Sequence, residues 1–322
     1  MAYKKAKRNG MKKIQPSVLT MAYRIPNGTS TIDLSQSASI LNRRFYRQGI
    51  NWVVAGFRVF TPTPVTDPGK GISVSRLPNT WTMSNSWEKA FRSWNAQQMN
   101  VIRESGAESA VAAFRDFKVH MDVTHVTAGF AGNLLPTDDA GAAPAVGEWL
   151  CSEIVIPNAN GVDNQDHESA LHVVGANFVG GATPSTATSR GIIEGYADSR
   201  AFPQSPDPVS PPIQSVNNWM RDMFDVGNEA DTVSLNATDR NDQLPYTQIN
   251  YPGGETQLPG LQIVDAAYFS AGTNSNKLFL KGDNFPCGLL RLTSTAGVET
   301  NLLIDLVPGQ HKGYLCQKMT DM

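Results

Sequence analysis

The residues of this 322-residue chain best suited by type to metal or acid–base chemistry are its five histidines and a few paired carboxylates. His167, Glu168 and His172 read H-E-x-x-x-H. That is one residue longer than the spacing that sets two imidazoles on one helix face around zinc, so a structural role is expected for them. His120 and His125 lie on or near a stretch of alternating polarity. Their odd offset predicts opposite faces of a strand and no joint site. Carboxylates cluster at Asp138 and Asp139, at Glu229 and Asp231, and at Asp239 and Asp242. Loops of this kind either recruit calcium or carry solvated charge; solvated charge is expected here. Cys151, Cys287 and Cys316 are odd in number, far apart and without a C-x-x-C pair, so neither a disulfide framework nor a cysteine zinc site is indicated. The chain has no G-x-S-x-G, no P-loop and no G-x-G-x-x-G between a strand and a helix, and its Gly-Gly pairs read as turns. No catalytic residue, metal site or cofactor is expected.

Polyanion chemistry is the exception. Lys4, Lys5, Lys7, Arg8, Lys12 and Lys13 fall within the first 13 residues with no acid among them, and Arg24, Arg43, Arg44 and Arg47 follow. Residues 1–48 therefore hold ten basic side chains against Asp33 alone, a charge of +9, whereas the rest holds 17 basic against 28 acidic, a charge of −11. A basic arm on an acidic body is the pattern of a tail that neutralises phosphate, although a solubilising tail has the same composition. Within RRFYRQG, residues 43–49, the aromatic rings either stack on bases between phosphate-holding guanidinium groups or anchor the arm to the core. No apolar stretch follows the charges as a signal peptide requires, and none approaches the length of a membrane span.

Elements that would position these groups are mostly strands. Gly and Pro together occupy 47 positions and only 17% of residues are charged, a profile of many turns. Strands are expected at NWVVAGFRVFTPT, at FKVHMDV (117–123, with a polar outer face), and at 148–156, 170–176, 261–271, 277–282, 288–294, 301–307 and 313–319. Trp87, Phe91, Trp94, Gln98 and Val101 recur at helical spacing, with Asn85 and Glu88 as a capping pair, and their aromatic stripe reads as core. Short helices are expected over 107–116 and 217–228. Such a set predicts an all-β sandwich or jelly roll with long loops.

Two C-terminal stretches narrow the reading. LPYTQINYPGG (244–254) and IDLVPGQHKGYLCQKM (304–319) resemble segments of capsid proteins of the small circular Rep-encoding single-stranded DNA viruses, the circovirus-like group, and WEKAFRSW and the basic N-terminus add to the likeness. The resemblance implies a single viral jelly roll of eight antiparallel strands, residues 49–322, preceded by a flexible basic arm, residues 1–48. It implies self-assembly into a small icosahedral shell around circular single-stranded DNA, a virion location with passage through a host nucleus, and no enzymatic activity or membrane partner. Arg43, Arg44 and Arg47 would then share genome neutralisation with the arm, whose charged run is shorter and richer in lysine than in circoviruses proper. Tyr246, Tyr251, Pro252 and Gly253 would serve inter-subunit contacts or structural turns, and Pro308 and Gly309 suit the centres of a type II turn. KKAKR would double as a nuclear import signal. The same features leave two other readings open: a capsid protein of a small RNA virus, and a carbohydrate-binding β-sandwich.

Overall fold

A computed structural model describes residues 16–63, 65, 67, 69–111, 116–157, 166–178, 189–201, 260–269 and 276–321. In chain order the elements are β1 (Thr20–Ile25), β2 (Gly28–Asp33), α1 (Leu34–Asn42), β3 (Ile50–Phe60), β4 (Gly71–Arg76), α2 (Trp81–Glu104), α3 (Val123–Ala128), β5 (Glu153–Pro157), β6 (Asp166–His172), β7 (Ser189–Gly191) and α4 (Ile192–Ala201). They continue with β8 (Gln262–Tyr268), β9 (Lys277–Lys281), β10 (Asn284–Phe285), β11 (Leu289–Ser294), β12 (Thr300–Leu306), β13 (Pro308–Gly309), β14 (Gly313–Tyr314) and β15 (Cys316–Lys318).

Two antiparallel sheets dominate. One is ordered β1-β12-β3, with β9 and β10 along the far edge of β3 and β15 beside its first residues. The other is ordered β2-β11-β4-β8. The pairs β1·β12, β2·β11, β3·β9 and β4·β8 nest one inside the next along the sequence. These eight strands thus pair as nested antiparallel partners in two curled sheets, in which β12 also meets β3 and β11 also meets β4.

Alternation in each strand explains the layering. In β1, Met21, Tyr23 and Ile25 point inward while Arg24 faces water, the period-two pattern of a sheet with one covered face. They join Ile32, Trp52, Phe57, Leu292 and Ile304 in one core shared by both sheets. Strand β11 is covered on both sides: Leu290 and Leu292 enter this core, whereas Leu289 belongs to a second cluster with Trp87, Phe117, Val119, Ile193 and Met319. That second cluster is built largely by the long connection from β4 to β8, which carries α2, α4 and the small β5-β6-β7 sheet.

Four local expectations change. Residues 20–42, part of the span 1–48 read from the sequence as arm, form β1, β2 and α1, because Met21, Tyr23, Ile25 and Ile32 supply apolar anchors in a stretch whose composition is otherwise polar. Helix α2 begins five residues before its expected capping pair, where Thr80 Oγ1 accepts from the Met83 amide. The expected helix over 107–116 is a single 3₁₀ turn, Glu108–Ala110, within its described part. FKVHMDV is not a strand. Its amides are taken by scattered partners in place of a neighbouring ladder: Lys118 donates to Ser152 Oγ, Val119 to Gln48 Oε1, His120 to the Leu171 carbonyl and Met121 to His125 Nδ1. Its polar side is covered too, with His120 buried and the Lys118 ammonium 4.7 Å from the Trp149 ring. The expected helix at 217–228 lies outside the described residues.

Candidate nucleic-acid interface

Helix α1 positions the three arginines expected to hold phosphate. Asp33 caps its first turn, accepting from the amides of Ser35 and Gln36, and also accepts from Gln48 Nε2 and Trp149 Nε1 at 3.0 Å each. Burial pushes the Asp33 carboxyl up to about 6 against the pull of these donors. The helix stops at Arg43, whose backbone is left-handed (φ 51°). Arg43 and Arg47 are exposed, and Arg44 Nη1 donates to the Pro16 carbonyl at 3.1 Å. The root of the basic arm is therefore fixed beside this cluster: the Val18 amide donates to Asn42 Oδ1 at 3.0 Å and the Val18 carbonyl accepts from the Tyr314 hydroxyl at 2.7 Å.

The aromatic members of RRFYRQG anchor the core. Tyr46 is fully buried, packs on Trp52 and Tyr314 with ring centroids 5.8 and 5.5 Å away, and donates its hydroxyl to the Lys312 carbonyl at 2.9 Å. Phe45 lies 6.5 Å from the Trp149 ring. Alternation of Arg with Phe and Tyr thus divides the segment into guanidinium groups at the surface and rings within it.

Lys312 leads from this cluster into a cleft of about 930 Å³ between the start of α2 and the C-terminal segment. Arg47, Arg92, Lys312 and Lys318 line it with Trp87 and Phe91, whose rings stack at 5.4 Å and 6°. Arg92 pairs with Glu88 one turn back on α2. Asp116, also on the lining, is withdrawn from solvent: it accepts from the Gln48 amide, lies 3.9 Å from Lys118 Nζ, and is raised by burial to about 6. Sequence reasoning assigned the Trp87 and Phe91 stripe to the core. These rings do pack on Phe117, and they also form the wall of the cleft. Nothing in helical spacing marks that second role, because Lys312 and Lys318 lie more than 200 residues away in sequence.

The C-terminal turn differs from expectation. Pro308 and Gly309 are not turn centres; they pair with Tyr314 and Gly313 as β13 and β14, and Gln310–Lys312 make the turn with Lys312 at φ 48°. Gly309 is required by packing instead, since a Cβ there would lie 2.5 Å from the Leu315 backbone.

The histidines come together more closely than their spacing predicts. Asp122 caps α3, accepting from the His125 amide, and the turn folds His125 back until its ring is 4.7 Å from that of His120, at 90°. His120 forms an isolated parallel bridge with His172. Met121 donates its amide to His125 Nδ1, so Nε2 carries the proton donated to Asn133 Oδ1 at 2.7 Å and the ring is neutral. Burial holds His120 down at about 3 and His125 at about 4, and lowers His172 as well. Among the described residues no group of three or more His, Cys, Asp or Glu side chains is arranged to hold a metal ion. The H-E-x-x-x-H run lies on strand β6.

Lys4, Lys5, Lys7, Arg8, Lys12 and Lys13, together with Tyr246, Tyr251, Pro252 and Gly253, lie outside the described residues, as do the acidic pairs at 229–231 and 239–242. Asp138 forms a local turn, its Oδ1 accepting from the Ala142 amide at 2.7 Å. No described helix is long and apolar enough to cross a membrane. Comparison with protein-family models, with curated proteins and with solved structures returns no match for this chain.

Proposed function

We propose that this chain is a viral capsid protein, a single jelly roll that assembles into a small icosahedral shell and packages circular single-stranded DNA through its basic N-terminus. The reading rests chiefly on the strand pairing: four nested antiparallel pairs rolled into two sheets, with a basic segment leading into the first strand. A double-sheet roll of eight strands is an architecture of capsid proteins, and also of lectins and cupins. Charge distribution separates these. Each cation on a phosphate releases counterions, and many short arms around one genome make a collective, sequence-independent attachment. A glycan platform, by contrast, needs tryptophans open to solvent, and of the five described tryptophans Trp52, Trp87 and Trp149 are buried and Trp81 and Trp94 are half-buried.

Size exclusion with light scattering, recording the 260/280 nm absorbance ratio, tests the proposal. The expected result is a particle of megadalton mass whose nucleic acid is digested by DNase and not by RNase after the shell is opened. Deleting residues 1–13 lowers the nucleic-acid content. A 34.9 kDa monomer that stays monomeric across salt and pH overturns the reading.

A further inference from the structure

The cleft between α2 and the C-terminal segment unites four features that the basic arm alone does not supply. Its lining carries Arg47, Arg92, Lys312 and Lys318, and Arg47 and Lys318 are exposed and make no ion pair among the described residues. Its acids are largely spent, Glu88 on Arg92 and Asp116 on buried partners, which leaves Asp321 at the chain end. Its wall is aromatic: Phe91, half-buried, continues the stacked face of Trp87, whose buried indole N–H has no acceptor among the described residues. Finally, it is joined to the arm's root by a short series of contacts, from Val18 to the Tyr314 hydroxyl, from the Tyr314 ring to Tyr46, and from the Tyr46 hydroxyl to the Lys312 carbonyl.

We propose that this cleft is a nucleotide site, seating one or two residues of a single strand with a base against the half-buried Phe91, which the buried Trp87 backs, and the flanking phosphates on Arg47 and Lys318. Bases stack on aromatic walls without regard to sequence, and a cationic groove follows the backbone, which is the chemistry of single-strand binding. A volume of about 930 Å³ accommodates a nucleotide and its neighbour's phosphate. Duplex is excluded because its bases already have both faces covered by the stacked pairs above and below. A strand captured by the arm is thereby delivered to the nearest built site, so the arm supplies encounter and the cleft supplies position. The inference deepens the packaging reading and rests on it.

Ultraviolet cross-linking of the full-length chain to oligothymidylate of about twelve nucleotides, followed by mass spectrometry of the peptides, tests the site. Adducts are expected on peptides containing Trp87 or Phe91. Because each single-strand phosphate contact contributes about 0.7 to the slope of log K against log salt, the double variant Arg47→Ala, Lys318→Ala is expected to flatten that slope by about 1.4. It should also weaken binding roughly tenfold at moderate salt. Both side chains are exposed, so the fold is retained, and unchanged circular dichroism confirms it. Adducts confined to residues 1–48 with an unchanged slope, in a protein that still forms DNA-filled particles, overturn the cleft site and leave the packaging reading standing. Failure to bind the oligonucleotide at all, with no particles, overturns both.

Discussion

The Tyr314 hydroxyl lies 2.7 Å from the Val18 carbonyl and 2.7 Å from Asn42 Nδ2, donating to the first and accepting from the second. One phenol thereby ties the last hairpin to the root of the basic arm and to the end of α1. Tyr314 is itself buried against Tyr46 and Trp52. Replacing it with phenylalanine keeps that packing and removes two hydrogen bonds whose other partners, the exposed Val18 and the half-buried Asn42, are in reach of water, at a cost of about 1–2 kcal/mol. Denaturant unfolding of Tyr314→Phe measures the loss, and limited proteolysis is expected to move the first protected residue beyond Val18. An unchanged midpoint and cleavage pattern would show that the root is held otherwise.

Strand β11 is fastened to the β4–β8 connection by charge as well as by Leu289. Arg291 Nη2 stands 2.7 Å from Asp122 Oδ1, with side chains 8% and 20% exposed. Removing one partner leaves the other charged in a place water scarcely reaches, which costs about 3–5 kcal/mol. Asp122→Ala loses the α3 cap in addition, so it is expected to be the worse of the two single variants. In a cycle built from Asp122→Asn, which keeps the cap, and Arg291→Met, the double variant should cost less than the sum of those two singles. Additive losses in a thermal double-mutant cycle would mean that the two groups do not act as a pair.

These two contacts mark the limit of what the sequence discloses. The strands of β3, β8, β9, β11 and β12 and the helix α2 were legible because each carries a period of its own, and the all-β class followed from them. Strands β1 and β2 were not, since Arg24, Ser30 and Thr31 dilute their alternation and adjacent basic residues drew the whole segment into the arm. FKVHMDV shows the opposite error: its sequence alternates, yet His120 is buried along with Phe117, Val119 and Met121. The segment meets the end of β6 only through the single His120–His172 bridge, while side chains of Ser152 and Gln48 satisfy two of its other amides. For the candidate site, charge pointed to Arg43, Arg44 and Arg47. It did not point to Lys312 and Lys318, whose approach to Trp87 and Phe91 is a product of the roll.

Acid should weaken this fold through its histidines. His120, near 3, and His125, near 4, stay neutral in the folded chain well below the usual value of about 6.5. Between about pH 6.5 and pH 4 the unfolded chain therefore takes up protons that the folded chain refuses, and stability falls as pH falls. Burial is the chief cause for both rings; His125 and His172 add to it at His120 with Asp122 partly offsetting, and at His125 the bond to Asn133 opposes it while Arg291 adds to it. Asp33 and Asp116, raised to about 6, act with the opposite sign: their contribution is full below about pH 4 and is lost as pH rises through 6. The histidine share is isolated by His120→Leu, which keeps an apolar face against Phe130. Its unfolding free energy is expected to fall less steeply on acidification, by about 1.4 kcal/mol per pH unit for the proton removed. Parallel pH profiles for the two proteins would exclude His120 as a titrating group.

Gly309 and Lys312 make a matched test of the C-terminal turn. At Gly309 a methyl group meets the Leu315 Cα and amide at 2.5 Å, so Gly309→Ala must part the hairpin and displace Tyr314 with it. A loss of about 2–3 kcal/mol is expected, at the upper end for overpacking against backbone. Lys312 shows the converse, because its left-handed backbone costs a side chain about 1 kcal/mol that glycine avoids. Lys312→Gly is expected to keep or slightly raise the melting temperature even though it forfeits the contact of its ammonium with the Phe45 carbonyl. The two substitutions should then part company on nucleic acid. Lys312→Gly removes a cation from the cleft and lowers single-strand affinity in a folded protein, whereas any loss in Gly309→Ala follows its unfolding. Equal affinity for wild type and Lys312→Gly across salt would take Lys312 out of the interface.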